Sequence, residues 1–131
     1  MTLIVRLIIG LVGLFNVAVG LMFLLNPARM GPEFALSPLG SQGLATMRAD
    51  FSAFFLVGGL FALLGAIRTD PSPLKVPLLL LAIALFGRTL SLILDGTAPT
   101  AYPPMLVEAV MIALLLLGQW VFARARQSKA R

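Results

Sequence analysis

Four apolar runs, separated by breaks rich in proline and glycine, leave this chain one kind of environment to fold in. The first run is Leu7 to Leu25, interrupted only by Asn16. At about 1.5 Å per residue, a run of this length approaches the ~30 Å hydrocarbon core of a bilayer. The second starts between Ser41 and Thr46 and ends near Ile67. The third spans about Val76 to Leu94 and the fourth about Pro104 to Ala123. A soluble fold of 131 residues could not hide a composition that is 60% hydrophobic and 11% charged, against about 25% charged in ordinary soluble domains. The expectation is one all-α domain over residues 1–131, a polytopic four-transmembrane-helix bundle. Its helices fall at about 4–25, 44–67, 76–94 and 104–123, with a basic tail at 124–131.

The breaks carry their own signals. Asn26-Pro27 stops the first helix, because proline disfavours the helical conformation in the residue before it. The first run is longer than the 7–15 residue core of a signal peptide and has no A-x-A-like site after it, so it reads as a retained helix. Pro27, Gly31, Pro32, Pro38 and Gly40 then mark a loop. That loop also carries Met30, Phe34, Leu36 and Leu39. Such a loop either lies on the membrane or covers the mouth of the bundle; a plain interfacial connector is the simpler reading. Pro71, Pro73 and Pro77 break the chain between the second and third helices. Asp95-Gly96 opens the last turn, and Pro104 suits the first turn of a helix. Gly58, Ala62 and Ala66 repeat every four residues, the pattern of a small-residue packing face.

Composition also removes function classes. The formal charge of +5 does not point to nucleic acid. Arg124, Arg126, Lys129 and Arg131 form a short tail after the last apolar run, and no aromatic residues interleave with it to stack bases. A basic cluster in that position is a topology signal and an attraction to anionic lipid. The chain has no Cys and no His. That excludes disulfides, thiolate nucleophiles, the usual haem and zinc ligation, and imidazole acid–base work. No nucleotide loop or nucleophile motif is present. No cofactor, no metal and no catalytic residue are expected.

The polar residues that remain are few and pointed. Arg88 lies inside the third apolar run, in F-G-R-T-L-S-L-I-L-D-G (Phe86 to Gly96). A charge at membrane depth costs at least about 2.5–3.5 kcal/mol on insertion scales, so it needs a partner or water. Ser91 and Asp95 share its helical stripe. Arg48 and Asp50 sit near the start of the second helix and Glu108 near the start of the fourth. Asn16 lies halfway along the first. With four spans, both termini share a side with the turn between helices two and three. That side carries Arg6, Arg68, Lys75, Arg124, Arg126, Lys129 and Arg131, whereas the opposite loops carry Arg29. The positive-inside rule puts both termini in the cytoplasm. Arg48, Asp50, Arg88, Asp95 and Glu108 then all fall in the outer half. Two readings follow. The charges satisfy one another and fix helix packing, since buried ion pairs often specify arrangement. Or they wall an outer-leaflet pocket for an amphipathic molecule, head at Arg88 or Arg48 and tail among the helices. In both, Arg88 pairs with Glu108 first and Asp50 second.

R-A-D-F near the start of helix two, G-R-x-x-S-L-x-x-D-G closing helix three and E-A at the start of helix four carry a resemblance. Together they resemble an uncharacterised bacterial family of small four-helix membrane proteins, a domain of unknown function. More broadly the chain is similar to DoxX-like membrane proteins, which include accessory subunits of quinone-linked and redox systems. The resemblance implies a four-helix fold and a bacterial inner-membrane location, without an activity.

The reading that results is a small, non-catalytic, multi-pass inner-membrane protein. It binds a lipid-like or quinone-like ligand at the polar cluster of Asn16, Arg48, Asp50, Arg88, Ser91, Asp95 and Glu108, or serves as an accessory subunit. Alternatives are a small proton-coupled transporter using Glu108 or Asp50, and a membrane isomerase using acidic residues. The partners expected are membrane lipids, an amphipathic small molecule, and a second copy or a larger membrane complex, with no nucleic acid. The orientation is open to a direct check. Reporter fusions at Ser72 and after Arg131 should read cytoplasmic and one at Ser37 external. A cytoplasmic signal at Ser37 would reverse the assignment.

Overall fold

The structure, a computed structural model, describes residues 1–96 and 98–129. Helix α1 (Thr2–Leu25) opens the chain and stops at Asn26, whose side chain accepts the Arg29 N–H at 3.2 Å. That cap begins a single helical turn, α2 (Pro27–Met30), with Pro27 at its first position, where proline lacks only an N–H that would be unpaired anyway. A 3₁₀ turn follows at Pro32–Phe34. Helix α3 (Gly40–Thr46) runs through a π-helical turn, Met47–Phe51, into α4 (Ser52–Arg68). Helices α5 (Lys75–Leu94) and α6 (Tyr102–Lys129) complete the chain. No strand occurs among the described residues. Four helical segments are long and apolar enough to cross a membrane: α1, the α3–α4 rod, α5 and α6 with its leading turn. This is a multi-pass helical membrane protein.

The helices alternate in direction and pack as neighbours in the order α1, α4, α5, α6, with α6 returning to α1. The closest pair is α1 with α4. A Cβ placed on Gly59 would sit 2.7 Å from both the Gly13 carbonyl oxygen and the Val17 amide nitrogen. One on Gly20 would sit 2.9 Å from the Leu56 amide nitrogen. Backbones that close leave no room for any side chain, and this is how membrane helices gain contact without a hydrophobic driving force between them. Gly58, Ala62 and Ala66 are all buried, as a packing face requires, but at Gly58 the approach is looser. Gly58 faces α5, with Leu80 at 3.6 Å from its would-be Cβ, an ordinary contact. The tight glycine is its neighbour.

Two apolar clusters form the interior. Near the termini, Ile9, Ala62, Leu74, Leu115 and Phe122 are almost fully buried. In the distal half, away from the termini, Phe23 is completely buried among Phe34, Phe51 and Phe55, with ring centroids 5.0–5.9 Å away. Phe34 comes from the segment after α1. Proline-rich sequence suggests a loop there, yet the chain folds into α2 and the 3₁₀ turn and packs Met30, Phe34 and Leu36 onto the end of α1 and α4. Apolar side chains make that packing worth more than solvation of an open loop.

The other departure from expectation is at the far end of α6. The helix continues through Lys129 instead of ending at Ala123; Arg131 lies outside the described residues. Two contacts hold the extension. The Arg124 guanidinium stacks 3.7 Å above the Trp120 ring, one turn back. Arg126 Nη1 donates to Asp70 Oδ1 at 3.3 Å. Asp70 also accepts the Ser72 N–H at 2.9 Å. That hydrogen bond, ahead of the Arg126 and Arg68 charges, holds its carboxyl below the usual aspartate range. Arg6 Nε donates to the Ala66 carbonyl at 3.0 Å, closing the same end of the bundle.

The seam yields a comparison between adjacent positions. Gly59→Ala forces α1 and α4 apart and should cost about 1–3 kcal/mol, the usual range for overpacking. Gly58→Ala fits the space present and should be near neutral. Thermal unfolding in detergent separates them; equal effects would contradict the close approach at Gly59.

Candidate functional site

The polar centre is built across three helices in the distal half. α5 carries Arg88 thirteen steps from its start, so the guanidinium lies about 20 Å along the helix. α6 carries Glu108 in its second turn. Arg88 Nε donates to Glu108 Oε1 at 2.9 Å, with side-chain exposures of 38% and 10%. One turn further along α6, Met111 is buried against α1, where Asn16 Nδ2 reaches its sulfur at 3.4 Å. The same nitrogen donates to the Val12 carbonyl at 2.8 Å, so Asn16 satisfies itself within α1 and only touches α6. A chain of contacts therefore runs from α1 through α6 to α5.

This centre is incompletely satisfied. Glu108 Oε2 is buried with no hydrogen-bond partner among the described residues. Ser52 Oγ, on the first residue of α4, is in the same condition, and Ser52 is 3% exposed. Their levels differ by about one helical turn, roughly 6 Å, because Gly20 lies four residues distal to Asn16 on α1. Ser52 lies one turn distal to Leu56, which packs on Gly20, and Glu108 lies one turn distal to Met111, which meets Asn16. Buried polar atoms without partners typically cost about 1–3 kcal/mol each, so each marks a place where a water or a ligand group would be bound favourably.

Residues 4–119, nearly the whole chain, match the family described as Domain of unknown function (DUF4345). The chain belongs to that family. No curated protein and no solved structure matches it. In this DUF4345 chain the remaining predicted residues are placed apart from the Arg88–Glu108 pair. Arg48 is exposed on the π turn, and its Nε donates to the Leu24 carbonyl at 3.0 Å. It caps α1, whose last carbonyls have no partner within the helix. Asp50, on the same turn, is exposed and makes no ion pair among the described residues. Ser91 and Asp95 are exposed, and Asp95 is the residue at which α5 leaves helical geometry. Thus the expectation that two arginines and three carboxylates satisfy one another reduces to one pair. Arg48 finds a free carbonyl closer than any carboxylate.

Ser52 escapes a reading of the sequence because a lone hydroxyl beside Phe51 carries no charge to demand a partner. Its only signal is that it is the last hydroxyl before a run of apolar and glycine residues reaching Arg68. Among the surface clefts are two in the half that holds the termini. One, of about 220 Å³, is lined by Arg68, Thr69, Asp70, Ala125 and Arg126. The other, of about 410 Å³, runs between α5 and α6. Neither is lined by the residues of the DUF4345 polar centre. No three acidic, His or Cys side chains come together among the described residues, so the chemistry on offer is that of one carboxylate and one guanidinium.

The pair can be tested as a pair. Arg88→Ala strands a buried carboxylate, and removing one member of a buried pair typically costs about 3–5 kcal/mol. Partial exposure of Arg88 puts the expected loss toward the lower value. Arg88→Ala combined with Glu108→Ala should recover part of it. Thermal or denaturant unfolding of the two singles and the double gives the coupling, and strictly additive losses would mean that the two side chains do not support each other.

Proposed function

We propose that this protein is a non-catalytic inner-membrane protein that holds the polar head of an amphipathic, lipid-like or quinone-like molecule at Arg88. The observation that carries this reading is how Arg88 is held. Its Nε is committed to Glu108 at 2.9 Å, which orients the guanidinium plane. Its two terminal nitrogens make no hydrogen bond among the described residues, and the side chain is 38% exposed. Beyond Leu81, α5 buries no residue, so these donors open sideways onto an apolar face. Terminal guanidinium nitrogens suit a phosphate, carboxylate or carbonyl oxygen, and an oriented fork binds such groups well. Leu85 and Leu92, three and four residues away on the same stripe of α5 and half-buried, suit a hydrocarbon tail. Distal then means the outer leaflet. The charge count supports that orientation, because Arg6, Arg68, Lys75, Arg124 and Arg126 gather at the other end.

The test is what travels with the protein. Purified in mild detergent, the native chain should carry a specific amphipathic molecule detectable by mass spectrometry of the extract. Arg88→Gln paired with Glu108→Gln keeps the volumes and avoids a stranded charge, and should fold yet lose that molecule. The same extract from native and double variant would refute the site. If no molecule is found and Glu108→Gln instead abolishes pH-driven flux in vesicles, the small-transporter reading replaces this one.

A further inference from the structure

The cleft between α5 and α6 has a construction that the polar centre does not explain. Lys75, Leu78, Leu79 and Ala82 line one wall and Ile112, Leu116 and Gln119 the other. These are spacings of three and four, so each wall is one stripe of its helix. The polar residues, Lys75 and Gln119, stand at the terminal end and every other lining residue is apolar. Lys75 to Ala82 is seven steps, so the apolar trough is about 10 Å long. Its volume is about 410 Å³. Lys75 is exposed and forms no ion pair among the described residues. Trp120, next to Gln119, is half exposed with Arg124 stacked on it. Tryptophan and arginine in that arrangement lie at headgroup depth, so the polar end of the cleft is level with phosphates and the trough with acyl chains.

We infer that this groove seats one acyl chain of an anionic phospholipid, with the lipid phosphate against the Lys75 ammonium and the Gln119 amide. Charge complementarity selects the occupant. A second apolar helix would fill the trough but bring no counter-charge to Lys75, whereas an anionic lipid satisfies both ends at once. The inference does not rest on the Arg88 reading, since no residue is shared.

Native mass spectrometry of the delipidated full chain in detergent, with added phosphatidylglycerol or phosphatidylcholine, tests it. The native protein should retain one phosphatidylglycerol in preference to phosphatidylcholine. Lys75→Gln should reduce that preference about fivefold, the effect expected of one basic residue at an anionic surface. Ala82→Trp fills the trough from an exposed position and should displace both lipids, while circular dichroism stays native. Equal retention of the two lipids by the native chain would overturn the proposal. So would a preference that survives Lys75→Gln but vanishes in Arg124→Gln with Arg126→Gln, because a general basic rim would then be responsible. A chain dimer in place of the lipid adduct would also overturn it, assigning the groove to a second copy.

Discussion

The contact between α1 and α4 at Gly13, Val17 and Gly59 sets the geometry of everything around it. Inside a bilayer, helix–helix attraction comes from close packing and not from water exclusion, so the pair that can approach most closely anchors the bundle. Once α1 and α4 touch backbone to backbone, their distal ends are aligned. That alignment brings Arg48 to the last carbonyls of α1 and stacks Phe23 between Phe51 and Phe55. Helices α5 and α6 then lean on this core from the terminal half, through Leu74, Pro77 and Leu81 on one and Leu115, Gly118 and Phe122 on the other. In the distal half their main polar tie is Arg88 to Glu108.

That division gives the two halves different physical characters. Toward the termini the interior is apolar and dense, and its charges are spent at the rim. Arg6 caps α4, Arg126 meets Asp70, and Arg124 covers Trp120. In the distal half a carboxylate is buried with one oxygen paired and one not, and a serine hydroxyl about one turn more distal is unpaired. Such groups are expensive in a low-dielectric interior. A bundle designed only for stability would replace the pair with packed hydrocarbon, which is often neutral or better. The pair survives where α5 contributes least burial, which is why the proposed ligand is placed there.

Much of the architecture is legible in the order of the residues. Run length and hydropathy specify four spans, because a backbone in hydrocarbon must satisfy its hydrogen bonds internally and a helix is the local way to do it. Proline and glycine specify where the spans break. The charge at Arg88 announces a polar centre, since its insertion cost demands a partner whatever the fold. Alternation of direction then follows from short connections, and with it the gathering of Arg6, Arg68, Lys75, Arg124 and Arg126 at one end.

Rotation and distance are not legible there. Gly58 and Gly59 read alike in a line of sequence, yet one faces roomy α5 and the other meets the α1 backbone, because a helix turns about 100° per residue. Arg48, Asp50 and Asp95 carry the same formal charges as Arg88 and Glu108, but their helical angles and terminal positions direct them to a carbonyl, to the surface and to a helix end. Ser52 has no charge to signal a requirement; only its burial shows one. The number of crossing helices, and the need to compensate a charge among them, come from the residues in order, because both follow from length and solvation. Which carboxylate answers Arg88, and which polar atoms stay unanswered, depends on where each helix points its side chains, and that is settled by packing in three dimensions.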